Sequence, residues 1–152
     1  MNKVEINGIN YNLNECEKTA EVTWYPNKYS GAVYIPETVS YNGVTYSVTS
    51  IGGQAFNGCY RLKYITIPNS VKSIGGSVFA FCSGLTSVNI PDSVTSIGDR
   101  AFLDCSGLTS INIPNSVKSI GGGAFHGCKS LKSVNIPNSV TSIGGSAFDY
   151  CI

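Results

Sequence analysis

Charge is what this 152-residue chain has least of: Asp, Glu, Lys and Arg together make up 12% of it, and the formal net charge is +1. That is about half the charged fraction of an ordinary globular protein. A chain this close to neutral has no basic footprint for a phosphate backbone, so no nucleic-acid partner is expected. No apolar run approaches the roughly 18 residues of a membrane span, so membrane insertion is not expected either. The opening Met1-Asn2-Lys3-Val4-Glu5-Ile6 lacks the charged-then-apolar layout of a signal peptide, and the expectation is a soluble polypeptide. No Asn-x-Ser/Thr acceptor for N-glycosylation occurs. Tryptophan and histidine occur once each. What the chain does have is 17 glycines and a hydrophobic fraction of 42%, enough to build a sizeable core in one domain.

Self-similarity decides the architecture. Ile-Gly pairs begin at Ile51, Ile74, Ile97, Ile120 and Ile143, a constant spacing of 23. Phe follows at 56, 79, 102, 125 and 148, and Cys at 59, 82, 105, 128 and 151. Leu62, Leu85, Leu108 and Leu131 come next, then Ile65, Val88, Ile111 and Val134. Each unit closes on Ile-Pro at 67–68, 90–91, 113–114 and 136–137, followed by Val71, Val94, Val117 and Val140. Segments 74–96 and 97–119 agree at 15 of 23 positions. A unit that short cannot bury its own apolar face, so the copies must stack.

Within a unit, Val88 and Ile90 alternate with Ser87 and Asn89, which is strand periodicity, and Pro91 stops the strand because it has no N–H to give a ladder. Val94 to Ile97 is a second extended piece. Ala101 to Cys105 reads as one short helical turn. The expected fold is therefore a solenoid, mostly β, with like strands in parallel ladders about 4.8 Å apart. The pattern Cys-x-x-Leu-x-x-Ile/Val-x-Ile-Pro-x-x-Val-x-x-Ile-Gly-x-x-Ala-Phe resembles the leucine-rich repeats of bacterial BspA-like proteins. The likeness covers residues 48–152, with Val78 alone replacing Ala among the small core positions. The resemblance implies a curved solenoid and a surface or secreted protein that binds other macromolecules, although no signal peptide is expected from residues 1–6 onward.

Residues 1–47 depart from the repeat and are expected to form an N-terminal β cap that includes a first partial rung. Residues 48–152 then give four full units and a partial fifth. Asn7-Gly8 and Asn42-Gly43 mark two-residue hairpins. Ala20 to Tyr25 offers a strand broken by Pro26, and Val33-Tyr34-Ile35-Pro36 matches the strand-and-stop of later units. Trp24 and the five tyrosines from Tyr11 to Tyr41 are expected to shield the first rung. At the other end the strand at 131–136 has no successor, so an open edge is expected there, inviting self-association.

The chemistry is sparse. Five thiols at a spacing of 23 are not a zinc pattern, which needs pairs two to four residues apart, and they read as buried free thiols. Cys16, outside that ladder, is expected to be half-buried. His126 precedes Cys128 by two, yet the ladder should turn that thiol inward, leaving a surface histidine. The Gly-Gly pairs recur as turns and lack the Lys-Ser/Thr of a phosphate loop. No catalytic residue, metal or cofactor is expected. The positions that vary between units are the candidate contacts: Phe81, Arg100, Leu103 and His126 in the corner, with Tyr64, Thr66, Ser87, Asn89, Ser110, Asn112, Ser133 and Asn135 on the strand face. The favoured reading is a non-catalytic interaction module for a protein or glycan partner, adhesin-like; a rigid spacer in a larger assembly is the alternative.

Overall fold

A computed structural model describes residues 2–25 and 29–152; Pro26, the expected strand breaker, lies outside the described residues. The chain opens with three antiparallel strands, β1 (Asn2–Ile6), β2 (Ile9–Asn14) and β3 (Thr19–Val22). Asn7 and Gly8 turn the first hairpin with both φ angles positive, the conformation a type I′ turn requires. Then follow β4 (Gly31–Tyr34), β5 (Thr38–Tyr41) and β6 (Val44–Ile51), with Asn42-Gly43 turning the hairpin between the last two.

From here each unit contributes two strands. The first series is β7 (Leu62–Thr66), β9 (Ser87–Asn89), β11 (Ile111–Asn112) and β13 (Val134–Asn135). The second is β8 (Ser73–Ile74), β10 (Ser96–Ile97), β12 (Ser119–Ile120) and β14 (Ser142–Ile143). In the second series like pairs with like at a shift of one unit, so Ile51, Ile74, Ile97, Ile120 and Ile143 form one parallel row. Through β3 and β6 this sheet joins the N-terminal hairpin, giving nine strands in all.

The strand face is built of parallel ladders, as expected. It comes as two sheets, β4-β7-β9 and β11-β13. The Thr86 N–H meets the Lys63 carbonyl at 3.1 Å, and the corresponding bonds further along, Thr109 to Thr86 and Lys132 to Thr109, lengthen to 3.4 Å. As anticipated from Val33-Tyr34-Ile35-Pro36, β4 heads this face, in parallel register with β7.

The corner is not a helical turn. Among the described residues there is no helix, and the corner alternates its backbone bonds. In the unit after Ile97, the N–H groups of Arg100, Phe102 and Asp104 donate to the next rung, to Gly122, Ala124 and His126. Those of Ala101, Leu103 and Cys105 donate back three residues. Two left-handed residues per corner make this alternation fit. One position is held by Gln54, Ser77, Arg100, Gly123 and Ser146, with φ between +55° and +63°. The other is held by Gly58, Phe81, Asp104, Gly127 and Tyr150, with φ between +53° and +76°. The corner is thus a third hydrogen-bonded side of the coil.

The core is a stack of identical side chains. Rings of Phe56, Phe79, Phe102, Phe125 and Phe148 follow each other at 5.1 to 5.3 Å, nearly parallel. The top of this stack is closed by Tyr29, 4.5 Å from Phe56, and not by Trp24, which stays 52% exposed. Rungs also approach closely at glycine: a Cβ on Gly98 would lie 2.7 Å from the Gly75 carbonyl carbon, which no side chain tolerates. Burial is supplied by the neighbour. Ile97 in mid-stack is 1% exposed, while its copy Ile143 in the last rung is 46% exposed, beside half-covered Val134 and Val140.

Phe102 is fully buried between two rings, so Phe102→Ala should cost about 3–5 kcal/mol. Ser110, exposed on the strand face, should tolerate alanine within about 0.5 kcal/mol. Chemical denaturation of both variants checks this, and equal losses would contradict the assignment of faces.

Candidate functional site

The thiol ladder was the strongest chemical signal in the sequence, and it is structural. Cys59, Cys82, Cys105 and Cys128 are buried free thiols, and Cys151 is half-buried. From Cys82 onward each S–H donates to the Phe carbonyl of the preceding corner: Cys82 to Phe56, Cys105 to Phe79, Cys128 to Phe102 and Cys151 to Phe125, at 3.0 to 3.2 Å. Burial, reinforced by neighbouring thiols, holds Cys105 far above the ordinary thiol range and pushes Cys128 from 9.0 up to about 12. A thiol so placed is not a nucleophile. Cys16 departs from expectation: it is exposed, because it sits in the turn between β2 and β3, where its N–H donates to Asn14 Oδ1.

No thiol–imidazole pair forms. The Cys128 Sγ points to the Phe102 carbonyl in the core, and the His126 ring packs edge-on against Tyr150 at 5.1 Å and 65°. Among the described residues no group of three His, Cys, Asp or Glu is set to hold a metal ion. Nor is any described helix long and apolar enough to cross a membrane.

The variable positions do converge. Arg100, Leu103 and His126 line one cleft of about 570 Å³ on the corner side, together with Asp99 and the glycines of the two following corners. Asp99 closes its floor, its Oδ1 accepting the Gly122 N–H at 2.8 Å. Phe81 stands one rung earlier, outside this cleft and 48% exposed. It occupies a left-handed position, φ +62°, that Gly58 and Gly127 hold in sister units. Tyr150 does the same at φ +61°, 66% exposed. A side chain there costs roughly 1 kcal/mol or more over glycine.

On the strand face the expected residues form two rows. Tyr64 pairs with Ser87, and Ser110 and Ser133 continue that row just before β11 and β13; Thr66 pairs with Asn89, and Asn112 with Asn135. Thr66 and Ser87 are half-buried and the other six are exposed. Sequence reasoning missed Tyr34. It pairs with Thr66 at the head of the second row and shares a shallow groove of about 400 Å³ with Thr66, Asn89 and Asn112. The signal was there, since Tyr34-Ile35-Pro36 aligns with Asn89-Ile90-Pro91.

Residues 33–152 match the model of the BspA type leucine-rich repeat region, in six copies. A leucine-rich repeat protein of T. pallidum is 33% identical over 99% of this chain and 68% of its own, with a TM-score of 0.85. One from Bacteroides ovatus is 32% identical, covering 97% of this chain and 45% of the other, at 0.69. A leucine-rich cell surface protein from Faecalibacterium prausnitzii is 27% identical, covering 99% and 52%, at 0.68. This chain therefore spans about half the length of the latter two. No curated protein matches it.

Thiol labelling at pH 9 checks the ladder. Cys16 should react at once, Cys151 slowly, and the other four only on unfolding, because all four are buried and burial keeps Cys105 and Cys128 protonated at that pH. Close to six thiols should then be counted without reductant. Two or four missing would mean disulfides.

Proposed function

We propose that this chain, which belongs to the BspA-type leucine-rich repeat family, is a non-catalytic module that binds a protein partner through its variable corner, with the strand face as a second contact surface. The observation that carries the reading is the pair Phe81 and Tyr150. Each holds an exposed aromatic ring at a backbone position where glycine serves the fold better, as Gly58 and Gly127 do in the same chain. Strain kept at an exposed aromatic fits a contact residue, since aromatic anchors dominate interface energetics. The cleft of Arg100, Leu103 and His126 between them adds a charge, an apolar tip and an imidazole. A location at the cell surface suits this role and is part of the proposal; the similarity to a cell surface protein of F. prausnitzii supports it.

Immobilised collagen, laminin and fibrinogen form a suitable probe set for surface-resonance titration. At least one should bind with Kd of about 1–100 μM, and the double variant Phe81→Gly, Tyr150→Gly should weaken it by about tenfold or more. The same variant should melt no lower than the parent. Binding untouched by the two changes, or none to any probe, would contradict the corner reading and favour a rigid spacer.

A further inference from the structure

The N-terminal hairpin builds a second concave surface that neither the repeat nor the corner explains. In β2 the residues Ile9, Tyr11 and Leu13 are buried, so Asn10 and Asn12 lie on the opposite face. The register sets Lys3 beside Asn12 and Asn12 beside Glu21, with Glu5 beside Asn10. These side chains, with Trp24 at one side, line a cleft of about 570 Å³, within the range of about 300–1,000 Å³ typical of small-ligand sites.

The cleft is held in shape. Asn10 Nδ2 donates to the Trp24 carbonyl at 3.2 Å. The Tyr29 hydroxyl accepts the Asn10 N–H at 3.1 Å and donates to the Thr23 carbonyl at 2.8 Å, which ties the approach to Trp24 onto β2. Ser50 Oγ donates to Glu21 Oε2 at 3.2 Å, and Gly52 leaves room for that carboxylate, since a Cβ there would sit 3.2 Å from it. One group has no partner: Asn12 Oδ1 is shut off from solvent and accepts no hydrogen bond. A buried acceptor left unpaired is costly, so a rotation of the Asn12 amide that turned it to a donor in the cleft would be rewarded.

We infer that this cleft binds a neutral saccharide. The 52% exposed indole of Trp24 offers aromatic surface for the C–H face of a pyranose. The carboxylates of Glu5 and Glu21, and Asn12 Oδ1 once its amide turns to the cleft, are acceptors suited to vicinal hydroxyls, and the amides of Asn10 and Asn12 can donate in return. Two carboxylates against the single ammonium of Lys3 make the cleft net negative, which disfavours sialylated or sulfated sugars. None of these residues belongs to the corner or the strand face, so this site stands or falls apart from the function proposed above.

Trp24 is the only tryptophan in the chain, so its fluorescence reports on this cleft alone. Titration with lactose, cellobiose, chitobiose and mannobiose should give a saturable change for at least one, with Kd of about 1 mM, and sialyllactose should bind at least about tenfold more weakly. Asn12→Ala should weaken the neutral sugar by about tenfold without lowering the melting temperature, because it removes an unsatisfied acceptor. Silence with all four neutral sugars would overturn the inference. So would a response confined to sialyllactose, or to a lysine-rich peptide used as a control. Full affinity in Asn12→Ala would also overturn it.

Discussion

A coil of 23 residues has no inside of its own, and every other feature of this protein follows from that. One turn is a single layer of chain, so its apolar side chains and half of its corner N–H groups face along the stack. They are satisfied only by the next turn, the side chains by their own copies and the N–H groups by its carbonyls. The Phe rings, the row of Ile51 to Ile143, the thiol-to-carbonyl bonds and the alternating corner N–H groups are one device repeated in different chemistry. Stability in such a stack is close to a sum of nearest-neighbour terms. The contrast between covered Ile97 and exposed Ile143 is that sum read off a single side chain.

The same constraint divides the surface. A position whose side chain packs on the next rung repeats almost unchanged in each unit, and where the backbones themselves meet, as at Gly98, no side chain fits at all. Positions that point away are released, and there the units diverge. Freedom to vary is therefore confined to the rims: the corner, where left-handed residues turn Phe81 and Tyr150 outward, the outer rows of the strand face, and the N-terminal hairpin.

How far the sequence could be read tracks this division. Phe102, Cys105 and Ile97 are legible because each is printed several times over at constant spacing, and repetition stands in for contact. The corner at Ala101 to Cys105 was misread as a helical turn. A short apolar cluster looks the same in both cases, and the deciding bonds run to Gly122, Ala124 and His126, a full unit away. Glycine at 58, 123 and 127 was the available sign of left-handed positions in the sister units. The cap offers no second copy for comparison. Val33 aligns with Ile65, and Phe56 lies nine residues before Ile65, so the same count back from Val33 lands on Trp24; the ring that closes the stack is Tyr29. The hairpin cleft was invisible because only the register of β1, β2 and β3 brings Lys3, Asn12 and Glu21 side by side.

The claim that the stack depends on unit-to-unit registry is tested most directly by comparing two internal deletions. Removing 97–119 joins Ser96 to Ile120 and sets Phe79 against Phe125 with every neighbour contact restored. Removing 97–107 takes out fewer residues but leaves a rung without its Phe, Cys and corner. Thermal unfolding followed by circular dichroism should show a cooperative transition for the larger deletion, with a modestly lower midpoint. The smaller deletion should melt far lower or without cooperativity. Stability that simply follows the number of residues removed would contradict the account.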